Sequence, residues 1–150
     1  MQISSKFTIA VHIIAAIDYF KDSYTVTSSF LAGSVGANPV IVRGVMGELK
    51  EAGIISVSQG KSGMTLAKPL AEISLYDVYA ATGCVEAAGL FRFHENPNAE
   101  CPVGRNIHKV MDNRLSAIQA AMEDAMKQMP LSDVVADARR AIAQEADAAR

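Results

Sequence analysis

Apolar residues open this chain at helical spacing. Phe7, Val11 and Ile14 fall at i, i+4 and i+7, and Ala10, Ile13 and Ile17 widen the stripe until it covers most sides. This predicts a central, buried first helix from Ser5 to Tyr19 or Phe20, capped by Ser4 or Ser5. After the polar link Lys21–Tyr24, the run Thr27–Gly36 predicts a short helix that starts at a Thr/Ser cap and stops at glycine. Asn38-Pro39 opens the next helix, which continues through Ala52 to Gly53 with Val42, Val45, Met46 and Leu49 as its core stripe. Asn38, Ile41, Arg43, Gly44, Gly47, Glu48 and Lys50 are left nearer solvent.

Then the period changes. Ile54–Val57 and Met64–Leu66 read as strands joined by the polar turn Ser58–Gly63. Ser74–Thr82 reads as a capped helix stopped by Gly83, and 84–104 reads as loop, with Gly89, Asn96-Pro97-Asn98 and Pro102. From Arg105 to Met129 a long helix is predicted. Its residues Ile107, Met111, Leu115, Ile118, Met122, Ala125 and Met129 keep nearly the period of a coiled-coil seam. An Ala-rich last helix fills 131–150. The expected architecture is mainly α with a small β-hairpin wing: a winged helix-turn-helix domain (1–82), a sensory or connecting loop (83–104), then a long dimerisation helix and a C-terminal helix (105–150).

Composition supports this without deciding it. Half of the 150 residues are hydrophobic and 20% are charged, which suits a globular core and argues against disorder. The net charge of -2 is unevenly placed. Residues 1–70 carry six basic side chains against four acidic, and residues 71–150 carry eight against twelve. A basic first half agrees with phosphate contact there, since the local face governs attraction. Two cysteines make no disulfide framework and suit a reducing cytoplasm. The apolar run Phe7–Ile17 contains His12, meets Asp18 and is too short for a membrane span, so no membrane partner is expected.

Candidate chemistry is sparse. Residues at the start of a recognition helix reach base edges, and Arg43 is the long donor there, fit for a guanine or a phosphate. Gly60, Lys61 and Ser62 at the wing tip offer tight-turn freedom and phosphate donors. His12 reads as a core-edge histidine bonded to backbone rather than a ligand. Cys101 admits three readings: a half-buried thiol packing the start of the long helix, a redox switch whose thiolate the helix terminus favours, or a metal ligand with His94 or His108. No Cys-x-x-Cys and no orienting partner for either histidine supports a thiol enzyme, so no catalytic residue is assigned.

Several stretches together resemble one family. They are Ser4-Ser5-Lys6-Phe7, Asn38-Pro39-Val40-Ile41-Val42-Arg43, Leu49-Lys50-Glu51-Ala52-Gly53-Ile54, Gly60 through Pro69, Ile73–Tyr79 and Cys101-Pro102-Val103-Gly104. In this order, up to about Val135, they resemble the Rrf-two family, the IscR-like winged-helix transcription regulators of bacteria. His94–Asn98 ahead of Cys101 is similar to its YwnA-like subgroup. The resemblance implies a homodimer on a pseudo-palindromic operator, with recognition helices about 34–36 Å apart. The DNA-binding set is then Ser5, Lys6, Thr27, Ser28, Asn38, Pro39, Ile41, Arg43, Gly60, Lys61 and Ser62. The dimerisation set is Ile107, Met111, Leu115, Ile118, Met122 and Met129. Members with an iron–sulfur cluster place three cysteines close together before the long helix, whereas here Cys101 stands there and Cys84 well upstream, so no cofactor is expected.

The expected function is a sequence-specific DNA-binding regulator, a repressor, modulated through a thiol or a small effector. The alternative is a protein-interaction module that uses the winged helix as scaffold.

Overall fold

The computed structural model describes residues 3–57, 63–84 and 89–150. Helix α1 spans Lys6–Phe20 and buries Ala10, Ile13, Ile14, Ala16 and Ile17, as its wide apolar stripe requires. Helix α2 spans Ser28–Val35, with the Thr27 side chain accepting from the backbone N–H of Phe30. Gly36, at φ +68° in the left-handed region, ends it and turns the chain into α3, Pro39–Glu51. Val42, Val45, Met46 and Leu49 of α3 are all buried against α1 and α2.

Strands β1 (Ile55–Val57) and β2 (Met64–Leu66) pair antiparallel, Ile55 with Leu66 and Val57 with Met64. A 3-10 turn at Leu70–Glu72 leads to α4, Leu75–Ala81, which starts on a capping box between Ser74 and Asp77.

The long helix is shorter than its pattern suggests. A 3-10 turn takes Gly104–Asn106, and α5 runs Ile107–Lys127. Helix α6 follows at Leu131–Ala148. The turn between them is stitched to the segment before α4: Leu75 N–H donates to the Met129 carbonyl at 2.9 Å and Leu131 N–H to the Ile73 carbonyl at 2.7 Å. Leu131 is fully buried with α1 and Ile73 in one core, so that core crosses the boundary drawn between the N- and C-terminal parts. Beyond Arg139, α6 is exposed.

Two polar ties join distant elements. His12 is exposed, not at the core edge, and its Nε2 lies 3.0 Å from the Ser34 hydroxyl of α2 rather than on backbone. Asp18, 7% exposed, accepts from Arg139 of α6 at 2.8 Å and from Lys21 at 2.9 Å. Burial pushes the Asp18 carboxyl up, but the bonds from Arg139 and Lys21 outweigh it and hold the group below its ordinary value. A carboxylate depressed in the folded state contributes stability above its unfolded pKa, near 3.9, and loses it as pH falls through the folded value. Arg139→Ala should therefore lower stability at neutral pH by about 1–2 kcal/mol, and the deficit should shrink toward pH 3. Thermal unfolding of both proteins across that range checks this. An equal deficit at both ends would assign the effect to lost packing on Tyr19, which the guanidinium overlies at 5.3 Å.

Candidate nucleic-acid interface

Helix α3 is presented by its neighbours. Its buried stripe rests on α1 and α2, and Phe20, edge-to-face with Tyr24 and Phe30 while those two rings stack on each other, fixes the end of α1 to α2. The hairpin is fastened to the same unit through its stem. Met64 N–H donates to the Val26 carbonyl at 2.7 Å, and a Cβ on Gly63 would come within 3.3 Å of Thr25 Cγ2. The Ser56 and Thr65 hydroxyls meet across the strands at 3.0 Å. Gly60, Lys61 and Ser62, assigned to the wing tip, lie outside the described residues.

The outer face of α3 carries the predicted contacts Asn38, Pro39, Ile41 and Arg43, all exposed. Asn38 Oδ1 caps the helix by accepting from Val40 N–H at 2.9 Å, which leaves the amide nitrogen for a base or phosphate. Thr27 is likewise occupied as a cap, with Ser28 half-buried beside it. At a helical repeat of 3.6, the line opposite the buried stripe runs through Val40, Gly44, Gly47 and Glu51, with Arg43 to one side. Val40 is 68% exposed, more than Ile41 at 48%. Among the described residues, an alanine methyl at Gly44 or Gly47 would meet nothing within 4 Å. Sequence reasoning placed Gly44 and Gly47 nearer solvent but left all three out of the DNA-binding set, although a valine and two glycines on the polar side of a helix were a visible anomaly.

Lys6 has another use. Its ammonium contacts Glu48 Oε1 of α3 at 2.5 Å, and that hydrogen bond raises its pKa. It ties α1 to the recognition helix with its charge compensated. Ser5 is exposed at the head of α1, and its carbonyl accepts from Ile9 N–H and the Thr8 hydroxyl.

In the C-terminal half the predicted seam divides. Ile107, Met111, Leu115 and Met122 are half-buried, and α5 packs on α4 of its own chain. Ile118 and Met129 are exposed at 53% and 51%, Met129 lying past the helix end. The exposed apolar edge of α5 comprises Val110, Ala117, Ile118, Ala121 and Ala125. No residue of this 21-residue helix is fully buried.

Cys101 is exposed, not half-buried. The backbone N–H groups of Gly104 and Val103 hold its thiol below the ordinary cysteine value, against a small opposing effect of burial. The turn around it is tight, since a Cβ on Gly104 would fall 2.3 Å from the Asn98 carbonyl oxygen. Cys84 is half-buried after α4, with its sulfur 3.1 Å from the Thr82 hydroxyl.

The winged-helix order, α2 and α3 followed by the hairpin, narrows the comparison to DNA-reading folds. The model of Rrf2, described as an iron-dependent transcriptional regulator, matches residues 3–137. The chain belongs to the Rrf2 family. YwnA of Bacillus subtilis (strain 168), a proposed HTH-type transcriptional regulator, is 40% identical over 133 residues, 89% of this chain and 96% of that protein. Two solved structures are similar to it. One is a proposed DNA-binding protein, 35% identical at TM-score 0.69, covering 87% of this chain and 98% of that one. The other is a proposed transcriptional regulator from Lactobacillus plantarum, 27% identical at TM-score 0.74, covering 96% and 98%.

This Rrf2 protein is therefore a transcriptional regulator and not an enzyme. The chain has two cysteines, and among the described residues no group of three His, Cys, Asp or Glu side chains is placed to hold a metal. No helix among the described residues is long and apolar enough to cross a membrane.

Proposed function

We propose that the chain is a cytoplasmic, sequence-selective repressor that reads double-stranded DNA as a homodimer through the outer face of α3. The observation that carries this is the bare strip Val40–Gly44–Gly47. Glycine inside a helix is less stable than alanine by about 1 kcal/mol, and among the described residues no neighbour fills the space beside either glycine. Close approach of an outside surface accounts for both. A major groove does so while offering Arg43 a guanine edge and Val40 and Ile41 thymine methyls.

The test is titration of the pure protein against the DNA upstream of its own gene at two salt concentrations. Selective binding that weakens with salt is expected. Arg43→Ala should weaken it by about 1–3 kcal/mol and relax selectivity at one position per half-site. A uniform loss, with a salt slope lower by about one, would make Arg43 a phosphate contact instead. No binding to any upstream fragment at low salt overturns the proposal in favour of a protein-interaction module.

The second copy is assigned to the exposed edge of α5, because a long helix with an apolar edge and no buried residue is incomplete alone. Control is assigned to the connection 83–104, where the exposed, acidified thiol of Cys101 is accessible to oxidants. Alkylation of Cys101 should be half-maximal below the ordinary thiol value of about 8.5, and a midpoint at or above it removes the thiol from this role.

A further inference from the structure

Two aliphatic side chains stand where the exposed side of a helix is ordinarily polar. Val40 and Ile41, in the first turn of α3, are 68% and 48% exposed, Val40 opposite the buried stripe and Ile41 on its flank. Both are β-branched, so within a helix each holds essentially one rotamer and keeps its methyl groups in a fixed place. Beyond them the surface is bare. Gly44 and Gly47 follow Val40 by about 6 and 10 Å along the axis, and among the described residues nothing stands beside either. A valine side chain is short. It reaches a base edge only when the helix backbone itself comes close, which the two glycines permit.

The hydrogen-bonding groups on this part of α3 are of one kind. Arg43 and the amide nitrogen of Asn38 donate. The acceptors are taken: Asn38 Oδ1 receives the Val40 N–H, Glu48 Oε1 receives the Lys6 ammonium, and Glu48 Oε2 is buried. The exposed carboxylate of Glu51 belongs to the last turn, about 16 Å along the axis from Val40.

This inventory selects among base edges. The amino groups of cytosine and adenine need an acceptor, whereas guanine O6 and N7 need a donor, and the thymine 5-methyl needs an apolar surface. Guanine alone would occupy Arg43 and leave Val40 and Ile41 wet. Thymine methyls match them in size and polarity. We propose that Val40 and Ile41 select thymine, each packing on one 5-methyl group in the major groove, within one or two base pairs of the guanine held by Arg43. Arg43 follows Val40 by about 4.5 Å along the helix, close to the duplex step of about 3.4 Å. The proposal rests on the reading of α3 as the DNA-contacting helix and adds which base, beside guanine, that helix discriminates.

The probe is the DNA upstream of the gene, footprinted with the full-length protein and then synthesised as duplexes in which one thymine at a time is replaced by deoxyuridine. Uracil pairs as thymine does and lacks only the methyl. Two positions in each half-site should lose about fourfold in affinity per replacement, the worth of one buried methyl. Replacements elsewhere in the site should change it by less than about twofold. Val40→Ala should bind the all-thymine duplex about fourfold more weakly and become indifferent to uracil at one of the two positions, while staying sensitive at the other. Ile41→Ala should show the converse. Both side chains are exposed, so helical circular dichroism should match the parent. Uracil at every position without loss, or a loss that both variants retain in full, overturns the proposal and leaves DNA reading intact; the second result assigns the loss to duplex shape. Failure of the parent to bind any thymine-containing upstream fragment selectively overturns the DNA reading and this proposal together.

Discussion

Alanine at Gly44 and Gly47 should make the protein more stable and a poorer DNA binder at once. Each replacement removes a helix-interior glycine, worth about 1 kcal/mol, and among the described residues the added methyl meets nothing within 4 Å. The double variant should therefore melt several degrees higher, at about 2–4 °C per kcal/mol for a chain of this size. Its selective affinity should fall by about tenfold or more, because overpacking a close-fitting contact by one carbon typically loses 1–3 kcal/mol. Gly47→Gln should abolish selective binding with the helical circular dichroism intact. Unchanged affinity in both variants would show that the bare strip faces solvent in the complex and would return the reading to Arg43 alone. The opposite signs of the two effects are the useful part, since a variant that merely misfolds loses both.

The second large effect concerns α5. Val110→Glu together with Ile118→Glu places two charges on the exposed apolar edge without touching Met111, Leu115 or Met122, which are half-buried. The expected result is a monomer by light scattering, with secondary structure preserved. Affinity for the two-half-site operator should fall by about 100-fold or more, because the second half-site is then no longer bound intramolecularly. A dimer that persists would place the partner elsewhere, with the exposed distal half of α6 as the next surface to alter. The same two substitutions on the half-buried residues Met111 and Leu115 should instead lower the melting temperature. The two sets separate assembly from folding.

The base-reading chemistry of the described residues is thin. On α3 it amounts to Arg43, the amide of Asn38 and two exposed aliphatic side chains, while Lys6 is already paired with Glu48. In the proposed dimer, affinity comes from two copies and from close fit rather than from many charges, which agrees with a first half that is only mildly basic.

Much of this was legible in the residues themselves. Thr27, Asn38-Pro39 and Ser74 with Asp77 act on backbone groups two or three positions away, so their caps and the helices they start are written locally. The core stripe of α3 followed from period alone, and so did the strand pair. The partial failures share one cause: they depend on what comes from far along the chain. Nothing near Lys6 announces Glu48, 42 positions on, or near Asp18 announces Arg139, 121 positions on. Nor does the spacing within α5 say which side its own α4 covers.

The sequence by itself therefore determined the order of elements, their caps, the buried faces of α1 and α3 and the family, because periodicity and capping are short-range. Only the tertiary structure decided which long side chains are already paired, which edge of α5 remains open, that Cys101 is exposed, and that Gly44 and Gly47 border empty space. These are properties of the whole packed surface, where burial depends on residues brought together from both ends of the chain.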